Sequence, residues 1–88
     1  MYRIKIKKSA FKGLSNIPTA HYRLIKEAIF ALSENPRPFG YRKLMGYDKY
    51  YRIRIGNYRV IYSIEDDVLF IEVIKIGHKK NIYLNFKG

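Results

Sequence analysis

Cysteine is absent from this chain of 88 residues, and acidic side chains are scarce: seven Asp and Glu against eighteen Lys and Arg. Without cysteine there is no disulfide framework and no thiolate metal site, and cysteine usage says nothing of redox compartment. No stretch approaches the ~20 apolar residues of a membrane span. The opening MYRIKIKKS alternates charged and apolar residues, unlike a signal peptide. Cytoplasmic residence without a membrane partner is the expectation. There is no Gly-rich phosphate loop, and Ser9, Ser15, Ser33 and Ser63 lack a nucleophile elbow. His21 and His78 lack metal-ligand spacing. Glu65, Asp66 and Asp67 are the only clustered carboxylates, in a segment that reads as a hydrophilic turn. Conventional hydrolase and metal-nuclease readings therefore fail, and neither metal nor cofactor is expected.

What the chain has in excess is positive charge. A formal net charge of +11 favours a polyanionic partner: nucleic acid, ribosome, an acidic protein or an anionic surface. An apolar fraction of 48%, with 16% aromatic residues, argues for a packed core. The length suits one domain spanning residues 1–88.

Hydrophobic periodicity gives the organisation. Tyr2, Ile4 and Ile6 alternate with Arg3, Lys5 and Lys7, as in a half-buried strand. Ser9 can cap a short helix, SAFKGLSNI, with Phe11, Leu14 and Ile17 as its apolar stripe. A longer helix opens at Pro18-Thr19 and carries Tyr22, Ile25, Ala28, Ile29 and Leu32 on one face. Asn35-Pro36 stops it. The segment NPRPFGYRKLMGYDK reads as a long connector packed through Phe39, Leu44 and Met45. Three strand-like runs follow, Tyr50–Ile55, Tyr58–Ile64 and Val68–Ile76, with turns at Gly56-Asn57 and Glu65-Asp66-Asp67. The closing GHKKNIYLNFKG is compatible with a strand, a helical turn or a tail. The expected architecture is α+β: an N-terminal strand, a helical hairpin and an antiparallel three-stranded meander, with the helices on one face of the sheet.

Strand parity sorts the charges. Tyr51, Ile53 and Ile55 share one face with Tyr58, Val60, Tyr62 and Ile64, leaving Arg52, Arg54 and Arg59 on the other. A two-residue turn makes Arg54 and Arg59 near neighbours. Like charges facing each other destabilise a sheet unless an anion lies between them. Two readings follow: solvated charges that protect an edge, or a phosphate site.

The series KLMGYDKYYRIRIGNYRVIYSI, followed by VIKIGHKKNIY, resembles the RelE/ParE superfamily of toxins from toxin–antitoxin pairs. The pattern is K-L-x-G, a tyrosine strand with alternating basic residues, G-x-Y-R-V-x-Y, and a last strand ending in Gly, basic residues and Tyr. With LSNIPTAHYR in the helical hairpin, the resemblance covers nearly the whole chain. The basic pair and the terminal tyrosine look more like the RelE branch than the ParE branch. The resemblance implies a ribosome-dependent endoribonuclease that needs no metal and is inhibited by a cognate antitoxin in a hetero-oligomer. The reaction implied is attack of an mRNA 2′-OH on the neighbouring phosphate. It assigns Arg52, Arg54, Arg59, His78, Lys79 and Tyr83 to catalysis and Lys43 and Lys80 to RNA binding. Arginine suits phosphate because its planar fork matches the oxygens. Histidine is the residue type suited to a proton acceptor at neutral pH, and Tyr83 has two roles open to it, as base or as stacking partner. The alternatives are a ParE-like inhibitor of DNA gyrase and an inactive RNA-binding relative.

Overall fold

A computed structural model describes residues 1–84, so Asn85 to Gly88 of the closing segment lie outside the described residues. Strand β1 (Arg3–Ile6) leads into helices α1 (Lys8–Ser15) and α2 (Thr19–Ala31). Then come β2 (Arg42–Lys43), β3 (Tyr50–Ile55), β4 (Tyr58–Glu65) and β5 (Phe70–His78). The sheet order is β1-β5-β4-β3-β2. The α+β expectation, helices on one face of the sheet, describes this architecture. Two features enlarge it. The first strand joins the sheet parallel to β5, with Arg3 opposite Phe70 and Ile6 opposite Val73. The connector also supplies a fifth strand, β2, which pairs Arg42 and Lys43 with Arg52 and Tyr51.

The main core forms where the helices meet the sheet. Ile25 and Ile29 from α2, Leu32 at its C-terminal cap, and Ala10 and Leu14 from α1 are buried against Ile53, Val60, Tyr62, Ile71, Val73 and Ile76. Each branched side chain so buried contributes roughly 1.5–3 kcal/mol. The α1 stripe is therefore Ala10, Leu14 and Ile17, while Phe11 is left 55% exposed. Ser9 does not cap the helix. Lys7 occupies the cap position, and the Ser9 hydroxyl donates to the Ile74 carbonyl at 3.0 Å, tying α1 to β5.

The opposite face is not bare. Between Ile61 and Tyr62 the β4–β5 register shifts by one residue, so that Ile61 pairs with Lys75 and Tyr62 with Val73. The unmatched Ile74 joins Ile61, Leu44 and Ile82 in a second buried cluster, flanked by Tyr47 and Tyr50. A bulge of this kind re-aims a side chain without ending the strand. Of the three connector residues expected to pack, only Leu44 is buried; Phe39 and Met45 are fully exposed. Leu44 continues the alternation of β2, which carries it inward, whereas Phe39 and Met45 sit in turns beside Gly40 and Gly46.

A polar tie joins three distant segments. Arg37 donates through both terminal nitrogens to the Asp66 carboxylate, at 3.2 and 2.9 Å, and the Tyr2 hydroxyl donates to the same group at 2.6 Å. The arginine bonds first, then the tyrosine bond, hold the Asp66 carboxyl down at about 2. A carboxyl depressed on folding adds stability above its ordinary value, and that stability is lost as pH falls through the folded value. Asp66→Asn is accordingly expected to lower the thermal midpoint at pH 7 and to flatten its decline between about pH 4 and pH 2. Melting curves across that range check this; identical slopes in both proteins would refute it. The tie is exposed, so added salt weakens the difference.

Candidate functional site

The register of the sheet gathers arginines on the face away from the helices. Arg54 lies directly opposite Arg59, while Arg52 lies between Arg42 on β2 and Ile61 on β4. Directly paired residues of antiparallel strands share a face. Arg42, Arg52, Arg54 and Arg59 therefore project together, beside the cluster of Ile61, Ile74 and Ile82. Across from Arg59 on β5 stands Gly77, where a side chain would meet Ile82. The C-terminal turn thus packs close to this strand through Ile82. That turn starts from His78, whose carbonyl accepts from the amides of Asn81 and Ile82 at 2.9 Å. It brings Tyr83, about half exposed, into electrostatic range of Arg52.

Arg52 is the centre of strain. Its Nη1 is buried and has no hydrogen-bond partner among the described residues. Burial, then repulsion from Arg54, lower its affinity for the proton; Tyr83 opposes this, and Arg59 and Arg42 add to it. The guanidinium still carries its charge, since arginine does not deprotonate in proteins. Like charges so arranged are unfavourable in the free protein and complementary to a polyanion. Arg59 is drawn back onto the hairpin, its Nη1 donating at 3.0 Å to the carbonyls of both Gly56 and Tyr58. Its remaining donors are left for other acceptors. The described residues hold no group of three or more His, Asp or Glu side chains able to bind a metal.

Not every nominated residue joins this face. His78 pairs with Tyr58 on the helix side, their ring centroids 5.6 Å apart, and His21 lies 5.3 Å from the same tyrosine. The His78 Nδ1 accepts from the Lys80 amide at 3.1 Å, so the ring caps the turn that carries Tyr83. Parity over the last two residues of β5 decides this: Gly77 lies on the arginine face, and His78, the next residue, on the far one. Lys79 and Lys80 are exposed at the start of the turn, with the Lys79 amide bonded to the Asn57 carbonyl at 2.7 Å. Lys43 pairs with Tyr51 and thus stands on the helix side, whereas its neighbour Arg42 joins the arginines. Sequence reasoning passed over Arg42. The alternation of Arg42, Lys43 and Leu44 was its only signal, and two residues of strand are too few to show a period.

Comparison with known proteins agrees with this fold. A family model for the ParE toxin of the type II toxin–antitoxin system parDE matches residues 4–83. The chain is 34% identical to RelE1 of Methanocaldococcus jannaschii over 87 residues, covering 96% of this chain and 97% of that protein. It is 31% identical to toxin RelE3 of the same organism, covering 92% and 94%. The structure of the archaeal RelE–RelB complex from Pyrococcus horikoshii OT3 contains a chain that superposes with a TM-score of 0.79 at 38% identity, over 91% of this chain and 97% of that one. The isolated Escherichia coli RelE toxin superposes at 0.75 with 24% identity, a likeness of fold. The chain belongs to the RelE/ParE superfamily and is a RelE-type toxin of a type II toxin–antitoxin system.

Proposed function

We propose that this toxin cuts mRNA on the ribosome through its arginine face and is restrained by a cognate antitoxin. The observation that carries the reading is the concentration of Arg42, Arg54 and Arg59 around Arg52, with Tyr83 also in its electrostatic range. Phosphate oxygens laid over the guanidiniums relieve their mutual repulsion. In the reaction the 2′ oxygen bonds to the adjacent phosphorus, the bond from phosphorus to the 5′ oxygen breaks, and a 2′,3′-cyclic phosphate and a free 5′-OH remain. The 2′-OH proton leaves with the attack, and a proton reaches the departing 5′ oxygen. Negative charge building on the phosphorane oxygens is balanced by fixed guanidiniums, which need not reorganise at the moment of reaction. RNA is selected over DNA because DNA lacks the nucleophile. Tyr83 is the proton-transfer candidate at this face, since His78 lies beyond the sheet from the arginines.

The antitoxin half of the reading draws on relatives: the Pyrococcus horikoshii and Methanococcus jannaschii structures are complexes of RelE with RelB. An acidic or amphipathic segment laid over this face would neutralise it and exclude RNA. The ParE family model favours a second reading, a DNA gyrase inhibitor. Induced expression with mapping of mRNA 5′ ends on ribosomes separates the two. New 5′ ends within translated sequences are expected. Intact mRNA with DNA damage would replace the first reading by the second.

A further inference from the structure

The segment Pro38-Phe39-Gly40 is a rigid turn with an unexplained side chain at its tip. The Tyr41 amide donates to the Pro38 carbonyl at 3.0 Å, and Gly40 adopts φ +90°, which an L side chain rarely tolerates. Phe39 is thereby held outward and makes no packing contribution; it is 108% exposed. Beneath it opens a cavity of about 360 Å³, within the ~300–1,000 Å³ of typical ligand pockets. The walls combine apolar Ala28 and Ile53 with Arg42, Arg52 and Arg54. β2 covers β3 only as far as Arg52 and Tyr51, so beyond them the outer edge of β3 has no strand beside it among the described residues. The backbone groups of β3 that face away from β4 border the cavity there.

We propose that this cavity is a base-binding subsite, in which an unpaired nucleobase of single-stranded RNA stacks on Phe39. The proposal rests on the RNA reading above and extends it to a second location. Arg52 and Arg54 connect the two: their side chains belong to the phosphate-binding face, and both residues also line the cavity. A strand whose phosphate lies on the arginines thus has a neighbouring base within reach of the aromatic ring. Aromatic rings beside cations are the usual platform for unpaired bases, and the free strand edge offers hydrogen bonds to a base rim. Charge favours RNA over a neutral protein side chain here, because the cavity wall is continuous with the basic face through Arg52 and Arg54.

The test uses the full chain and a 2′-O-methyl oligoribonucleotide carrying 2-aminopurine, which cannot be cleaved and whose fluorescence falls on stacking. The native protein is expected to quench the probe at low salt. Phe39→Leu should abolish the quench and weaken binding about 5- to 100-fold, the range for losing one stacked base. Phe39→Trp should retain both, and neither change should move the thermal midpoint, because the side chain packs against nothing. A Phe39→Leu protein with native quench and affinity overturns the subsite, as does one whose only defect is weaker inhibition by the antitoxin. Both results leave the arginine face intact. A native chain that fails to bind the probe, or that binds no better than Arg52→Ala, overturns the RNA reading and the subsite with it.

Discussion

Arg52→Ala is expected to reduce mRNA cleavage by about 100- to 1,000-fold, the usual loss when one preorganised donor to a developing oxyanion is removed. The same change should leave the thermal midpoint unaltered or higher. Both halves come from one geometry. Arg52 lies between Arg42 and Ile61, with Arg54 and Arg59 close by, and its Nη1 is buried without a partner. An unsatisfied buried donor costs about 1–3 kcal/mol, and removing it removes that cost. Residues that hold a site ready at the expense of the fold show this opposition of activity and stability. Cleavage would be measured as 5′ ends per ribosome-bound message, and stability by thermal melts at low salt. Native-level cleavage would refute the assignment. A fall in both quantities would make Arg52 a structural residue.

Gly13→Ala is expected to be the most damaging conservative substitution in the helical layer. Gly13 lies on α1 against β5, and a Cβ there would stand 1.9 Å from the Ile76 carbonyl oxygen and 2.9 Å from its carbon. Both atoms are backbone, so no side chain can swing aside. Alanine's helix propensity favours the change by about 1 kcal/mol, too little to offset separating a helix from its sheet. A net loss on the order of 3 kcal/mol is expected, at the upper end of overpacking costs. In a domain of this size that corresponds to a fall of roughly 10–20 °C in melting temperature. Lys12→Ala, on the exposed side of the same helix, supplies the control. Equal midpoints for the two variants would mean that the α1–β5 contact is looser than described. Activity should also suffer near the new midpoint, because Ile76 precedes the Gly77 that lies opposite Arg59.

Much of this was legible in the residues because strands and helices impose different periods. The alternation in Tyr50–Ile55 and Tyr58–Ile64 placed Arg52, Arg54 and Arg59 on one face, and the paired register has them there. Repeats of three and four residues likewise located Ile25, Ile29 and Leu32. Parity failed where it had little length to act on or where it was interrupted. Arg42 sits in a strand of two residues. Ile74 is displaced by the bulge, so the second apolar cluster could not be seen from alternation alone. His78 illustrates a different limit. The resemblance grouped it with the arginines, yet the end of β5 pairs it with Tyr58 on the helix side of the sheet. Phe39 was counted as core because apolar residues usually are; the turn that exposes it depends on Gly40.

The pairing of β1 with β5 also bears on when the toxin becomes active. Arg3 finds its partner only in Phe70, near the end of the chain, and β5 is at once the neighbour of β1 and of β4. During synthesis the helical hairpin and the arginine strands emerge first, but the sheet that seats them lacks an inner member. Contacts so distant in sequence form late and slowly. The turn bearing Tyr83 emerges later still. A chain that ends before β5 therefore lacks the strand that joins β1 to β4, and the arginine face is completed only when β5 is in place.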